Sequence, residues 1–175
     1  MAEQLHTSDP LILLAEDHED DITLVRSALI KAQIPNLLEV VRDGEQAIAY
    51  LKGEGQFADR SRYPLPGLML LDLNMPRKDG FQVLDWIRRQ PELRTLRVVV
   101  LTGSRDVYDL SRAYRLGAHS FIVKSLDSQT FTELVENIQG YWLSAGLLRS
   151  ARMTADGPPQ TSGPAISEEK PSPSP

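Results

Sequence analysis

Five short apolar runs punctuate the chain: Leu11–Ala15, Leu37–Val41, Leu68–Asp72, Val98–Thr102 and Ser120–Val123. They are nearly continuous rather than alternating, which is the pattern of strands covered on both faces. Between them the apolar positions recur at helical spacing. Ile22, Val25 and Leu29 form one stripe, Ala47, Ile48 and Leu51 a second, Phe81, Leu84 and Ile87 a third, and Val107, Leu110 and Tyr114 a fourth. A fifth helix is predicted from Phe131, Leu134, Val135, Ile138, Tyr141 and Trp142, with Asp127 and Thr130 in its capping region.

Strict alternation of strand and helix, repeated five times, predicts an α/β fold with a parallel sheet between two layers of helices. For five strands the expected arrangement is flavodoxin-like and doubly wound, with strand order 2-1-3-4-5. Ligands in such sheets bind beyond the carboxyl ends of the strands, at the switch point. The residues that end each strand are therefore where chemistry is expected.

Composition narrows the class without altering this picture. A chain of 175 residues accommodates one ordinary domain and a tail. Half of the 12 prolines follow Asp156, in GPPQTSGPAISEEKPSPSP, a segment too poor in aliphatic and aromatic residues to bury a core. The expected division is an N-terminal extension over residues 1–10, a folded domain over 11–148 and a disordered Pro/Ser-rich tail over 149–175. The formal net charge of −5 argues against nucleic acid, whose binders are usually basic. The absence of cysteine removes disulfides, thiol catalysis and Cys-based zinc sites. The opening MAEQLHTSDP has neither signal-peptide nor transit-peptide character, and no apolar stretch nears the ~20 residues of a membrane span. A cytoplasmic protein that avoids membranes is the expectation.

The strand ends carry an unusual set. Strand 1 runs into Glu16 and Asp17, and strand 3 ends on Asp72 with Asn74 two positions on. Strand 4 ends on Thr102 and Gly103, and strand 5 runs into Lys124. In the proposed order strands 1 and 3 are neighbours, so Glu16, Asp17 and Asp72 should converge. Three carboxylates in one crevice repel unless a cation sits among them. A hard divalent ion suits oxygen ligands, and magnesium prefers one or two carboxylates with water and phosphate oxygens. On this reading Asp17 and Asp72 are direct ligands, the backbone carbonyl of Asn74 adds another, and Glu16 acts through water. Lys124 adds positive charge, Thr102 a hydroxyl donor, and Gly103 leaves room beside it. Such a site suits a tetrahedral anion next to a carboxylate nucleophile, Asp72.

Each residue taken singly has an ordinary reading. Asp17 can cap the first helix, Asp72 can be a turn acid before Pro76, Thr102 a β-branched strand residue and Lys124 a surface lysine. Glu19, Asp20 and Asp21 read as a solvated first helical turn, favoured by the helix dipole. His6, His18 and His119 lack metal-ligand spacing and read as surface or structural residues. The combination, in this order along four strands, is what points to a site.

With these residues in place, the chain resembles a response-regulator receiver domain of bacterial two-component signalling. The matching stretches are ILLAEDHEDD, LMLLDLNMPRKDGFQVL, VVVLTGS and GAHSFIVKS, and the resemblance runs from about Leu11 to Trp142. It implies that Asp72 is the phospho-accepting aspartate, that Glu16 and Asp17 are the acidic pair, and that Thr102 and Lys124 are the hydroxyl and lysine of the set. It places Phe121 at the aromatic switch position, and Asn74 and Ser104 at positions that tune phosphate lifetime. It implies magnesium as the cofactor and the phosphohistidine of a sensor histidine kinase as the donor. The insert GEGQFADRSRYPLPG, with RDGEQAIAYL and DLNMPRKDG, further resembles the single-domain regulators that partner phytochrome-type kinases. Ser125 departs from the proline that the family most often has after the lysine, which leaves the geometry of that peptide open.

The resemblance also implies how such a protein switches. A phosphoryl group on Asp72 draws Thr102 toward it, and Phe121 rotates into the vacated space. The expected protein is a phosphoacceptor rather than an enzyme in its own right, assisting only its own phosphorylation and dephosphorylation. The stretch after Trp142 has no basic recognition helix, so output through protein–protein contact, phosphate relay or a phosphate sink is expected. Homodimerisation through strand 5 and helix 5 is expected as well, strand 5 being a sheet edge. Trp142, Leu143, Leu147 and Leu148 would extend its apolar strip or pack within the same subunit. Two rivals share elements of this pattern. An FMN carrier needs a phosphate loop where EDHEDD stands, and a haloacid-dehalogenase-type phosphohydrolase needs an aspartate where Asn74 stands. A receiver-like scaffold that is not phosphorylated is the alternative left open.

Overall fold

The computed structural model describes residues 11–34, 38–103, 106–124 and 132–140. Expectations for residues 1–10, for Leu37, Ser104, Ser125, Asp127, Thr130 and Phe131, and for everything from Tyr141 onward lie outside the described residues. The elements alternate along the chain as β1 (Ile12–Ala15), α1 (Glu19–Lys31), β2 (Leu38–Val41), α2 (Gly44–Lys52), β3 (Leu68–Asp72), α3 (Gly80–Arg89), β4 (Arg97–Thr102), α4 (Val107–Arg115) and β5 (Ser120–Val123). A further helix, α5, covers residues 132–140. All strands pair in parallel, in the order β2-β1-β3-β4-β5.

The two-residue period of the strands divides the core between the two faces. Leu13, Met69, Leu71, Val98 and Val100 face one way and meet Ala47 and Leu51 of α2, Leu84 and Ile87 of α3, and Ala113 of α4. Ile12, Leu14, Leu70, Val99 and Ile122 face the other way and meet Ile22, Val25 and Leu29 of α1 with Leu134 and Ile138 of α5. β1 and β3 are buried along their whole length, which is why their sequences read as unbroken apolar runs. The edge strands β2 and β5 are only partly covered.

The fourth apolar stripe does not behave as its spacing predicts. Val107 is 72% exposed and Tyr114 48%, whereas the buried position on α4 is Ala113. The helix docks through a small residue, and Arg112 lies over the Phe81 ring of α3 at 4.1 Å. Tyr114 reaches sideways to Phe121, edge-on at 5.6 Å.

The insert after α2 has its own anchor, which periodicity does not reveal. The fully buried Tyr50 ring packs tilted against Phe57 at 5.0 Å and edge-on against Tyr63 at 6.0 Å, and its hydroxyl donates to the Pro64 carbonyl at 3.0 Å. Arg60 donates to the carbonyls of Tyr50, Leu51 and Tyr63 at 2.8, 2.7 and 3.1 Å, satisfying the open end of α2. Burial, with the Glu39 charge, pushes the Tyr50 phenol up to about 12.

Candidate functional site

The carboxyl ends of β1, β3, β4 and β5 meet at one edge of the sheet. After β1 the Glu16 N–H donates to the Val41 carbonyl at 3.0 Å, so the β1–β2 pairing carries one residue further. Glu16 is thereby fully buried. Asp72 closes β3 opposite Leu101 and is 2% exposed. The strand-end position does not open Asp72 to solvent: its burial is compensated by direct partners instead. The Asn74 N–H donates to Asp72 Oδ1 at 3.2 Å, and Lys124 Nζ lies 3.1 Å from Oδ2. Thr102 is fully buried at the end of β4. The Lys124 N–H donates to the Thr102 carbonyl at 2.7 Å, which extends the β4–β5 pairing and brings the lysine to this edge. An added Cβ at Gly103 would meet nothing within 4 Å, so the space beside Thr102 is open.

Lys124 is the hub of the charges. Its ammonium stands 2.5 Å from Glu16 Oε2 and 2.9 Å from Asp21 Oδ2 as well as beside Asp72. Burial opposes its charge, but hydrogen bonds to Glu16 and Asp21 and the Asp72 carboxylate outweigh it and hold the ammonium above the usual lysine range. Burial and the nearby Asp72 raise the Glu16 carboxyl above its ordinary value, against the pull of Lys124 and the His18 N–H.

Asp21 is not the solvated helical acid its sequence context suggests: the first turn of α1 aims it at Lys124. No local signal marks it, because its partner is far away in the chain. Glu19 does pair at the surface, with Arg42 at 2.7 Å. Asp17 is not the cap of α1. His18 holds that position, without a side-chain capping bond, so the Asp17 carboxylate is not engaged in capping.

Glu16, Asp17, His18 and Asp72 each offer a ligand atom, and these atoms lie within 4.8 Å of one another. His18 thus joins the rim of the cluster, against the expectation that it stands apart. Its Nδ1 is 3.1 Å from Asp17 Oδ1, and the Asp17 and Glu16 charges raise its pKa. Asp17 Oδ1 is buried, and beside the His18 contact it accepts no well-formed hydrogen bond among the described residues. A buried carboxylate oxygen with only an exposed imidazole beside it, among further carboxylates, belongs to the donor set a hard divalent cation satisfies. Phe121 is half-buried, its ring on Tyr114. Ser104 lies outside the described residues.

A doubly wound sheet with an acidic cluster, a buried aspartate, a hydroxyl and a lysine at its carboxyl edge defines a class. Residues 12–136 match the response regulator receiver domain, and the chain belongs to that family. Within it the chain is related to the phytochrome response regulators of two-component signalling. It is 37% identical over 141 residues to response regulator Rcp1 of Synechocystis sp., covering 81% of this chain and 94% of that one. The crystal structure of the phosphorylated cyanobacterial phytochrome response regulator RcpA superposes with a TM-score of 0.70 at 40% identity, over 79% of this chain and 96% of RcpA. The Mn2+-bound form of Rcp1 gives a TM-score of 0.67 at 37% identity, over 77% and 95% of the two chains. Among the described residues no helix is long and apolar enough to cross a membrane.

Proposed function

We propose that this chain accepts a phosphoryl group on Asp72 from the phosphohistidine of a sensor histidine kinase of the phytochrome type, and passes the signal on through protein contacts. One observation carries the proposal: Lys124 Nζ, already paired with Glu16 and Asp21, reaches the buried Asp72 carboxylate at 3.1 Å, beside the cluster that Asp72 forms with Glu16, Asp17 and His18. The similarity to RcpA, solved in its phosphorylated form, supports it.

In the transfer, an Asp72 oxygen attacks phosphorus. The P–N bond to the donor imidazole breaks, and that nitrogen keeps the electron pair. The product is an acyl phosphate on Asp72 and a free histidine on the kinase. Asp17, Asp72 and the Asn74 carbonyl would hold a magnesium ion, with Glu16 acting through water. Once bound, magnesium supplies positive charge to the phosphoryl oxygens. That the similar Rcp1 has a Mn2+-bound form supports a divalent ion as the partner of this protein. Lys124 exchanges carboxylate partners for a phosphoryl oxygen, and the Thr102 hydroxyl donates to another. Moving Thr102 makes room for the Phe121 ring, which leaves Tyr114 and changes the surface of α4 and β5. Asn74 and Ser104 flank the path of the water that reverses the reaction.

On this proposal residues 11–148 form the receiver, between an extension over 1–10 and a Pro/Ser-rich tail over 149–175. The protein works in the cytoplasm as a homodimer joined through β5 and α5, with neither nucleic acid nor membrane as partner. Sedimentation showing a monomer at high concentration, with and without a phosphoryl mimic, refutes the dimer.

The deciding experiment is incubation with acetyl phosphate and Mg2+, followed by intact mass. An acid-stable, base-labile phosphoryl adduct on the parent chain and none on Asp72→Asn is the expected result. No adduct on the parent supports the unphosphorylated scaffold instead. Equal labelling of both removes Asp72 as the acceptor.

A further inference from the structure

The loop between β3 and α3 is fastened to α2 by contacts that the chemistry above does not use. Arg77 sits at φ +63°, in the left-handed region that a side chain other than glycine enters only at a cost. Across it the Lys78 N–H donates to the Pro76 carbonyl at 2.8 Å, closing a three-residue turn. A turn of this kind relaxes unless its surroundings over-determine it. Here the Arg77 guanidinium reaches Asp43, whose side chain is fully buried while the arginine is half-exposed. The same carboxylate caps α2. Its Oδ1 accepts from the Gln46 N–H at 2.8 Å, and its Oδ2 takes Arg77. Burial works against this carboxylate, but Arg77 and the Gln46 N–H outweigh it and hold the group below its ordinary range.

Two close approaches of backbone fix the rest of the loop. A Cβ on Gly44, the first residue of α2, would lie 2.2 Å from the Lys78 carbonyl oxygen, so α2 is seated directly on the loop backbone. At the other end the Gly80 N–H donates to the Leu73 carbonyl at 2.9 Å, and a Cβ there would lie 2.3 Å from the Asp72 carbonyl oxygen. Between these fixed points stands Asn74, the residue whose N–H meets Asp72.

We propose that the Asp43–Arg77 pair is a positioning device for the acidic site, holding the loop over residues 74–79 in the strained form that presents Asn74 to Asp72 and to the divalent cation. The proposal rests on the reading of Asp72 and Asn74 given above. Asp43 and Arg77 act through Asn74 and are positioning residues, not catalytic ones. A purely structural role, capping α2 and neutralising a buried acid, predicts a loss of stability alone. A positioning role predicts a loss at the cation site as well.

The test is a titration of the full chain with Mn2+, read from the paramagnetic signal of the free ion, on Asp43→Asn, Arg77→Ala and the double variant. Asp43→Asn keeps an oxygen to cap α2 and loses the charge that holds Arg77. Each single variant is expected to bind Mn2+ about tenfold more weakly, the low end for removing the support of a ligand. The double variant should lose no more than the worse single one, because the pair acts as a unit. Phosphorylation by acetyl phosphate should slow at low Mn2+ and recover at saturating Mn2+. The control is Arg60→Ala, which loses three carbonyl contacts in the insert and should be less stable yet bind Mn2+ like the parent. If Asp43→Asn does not fold, Arg77→Lys carries the same comparison, keeping the charge without the planar fork. Unchanged Mn2+ affinity in the single variants, or additive losses in the double one, overturns the positioning role. Mn2+ binding that survives Asp72→Asn in the parent background overturns the reading of the site beneath it.

Discussion

Replacing Lys124 by methionine tests the charge balance of the site directly. The change keeps an unbranched apolar stem and removes an ammonium that stands within 3.1 Å of three carboxylates. Asp21 is 30% exposed and can be solvated when its partner goes. Glu16 and Asp72 cannot, because their side chains are 0% and 3% exposed. Stranding one member of a buried pair costs about 3–5 kcal/mol. Solvation of Asp21 and proton uptake by Glu16 relieve part of this, so the expected loss is about 2–3 kcal/mol. For a domain of this size that lowers Tm by ~6–10 °C. The assay is urea and thermal unfolding followed by circular dichroism, with chelator present so that no ion fills the gap. Adding Mg2+ then gives a second reading. At the proposed site the ion would compete with an ammonium for Asp72 in the parent, whereas in Lys124→Met it would not. The Mg2+-induced rise in stability should therefore be larger in the variant, by ~1.4 kcal/mol for each tenfold gain in affinity. A variant as stable as the parent in chelator, or equal Mg2+ increments in the two, refutes the account of Lys124 as the internal counter-charge.

Gly80→Ala drives a Cβ to 2.3 Å from the Asp72 carbonyl oxygen and 2.7 Å from the Leu73 Cα, both of them backbone atoms that cannot swing aside. Urea denaturation should show a loss of about 1–3 kcal/mol, and a neutral result would mean that the loop yields. His119 Nδ1 accepts the Val98 N–H at 3.1 Å, which requires that nitrogen to be unprotonated. Partial desolvation of the ring first, then the Arg88 and Arg97 cations, lower its pKa below the ordinary 6.5. The unfolded chain therefore takes up this proton before the folded one, so the contribution of His119 is complete above about pH 6.5 and is lost as pH falls below it. His119→Asn, whose Oδ1 can accept the same N–H, should flatten the fall in stability between pH 7 and 5 in urea titrations, and an unaltered slope would contradict this. Phe121→Ala removes the ring that contacts Tyr114. Phosphorylation should then no longer change amide exchange in α4, and a response like the parent's would uncouple Phe121 from the switch.

The strand–helix alternation, the sheet order and the convergence of Glu16, Asp17, Asp72, Thr102 and Lys124 on one edge were legible in the chain, because each follows from a local period or from rank along the sequence. Glu16 and Asp17 need only end a strand next to the one that ends on Asp72. The side of α4 that faces inward was not legible. Val107, Leu110 and Tyr114 form a regular stripe, yet the helix buries Ala113, since its contacts with Phe81 and Phe121 are set by other elements. His18 gave no sign of joining the acidic cluster, because its spacing matches no ligand motif and its place depends on where the chain turns after β1.

By itself, then, the sequence determined the layered fold and the identities of the groups at its carboxyl edge, through periodicity and order that any chain with this pattern must obey. Only the tertiary structure decided which charges touch. Lys124 meets Asp21 across 103 residues of chain. Arg77 meets Asp43 across 34. Asp72 is buried by its neighbours rather than opened by its place at a strand end. The reason is physical: a hydrophobic period acts over a few residues, whereas a charge finds its partner only after sheet and helices have brought distant segments within a few ångströms.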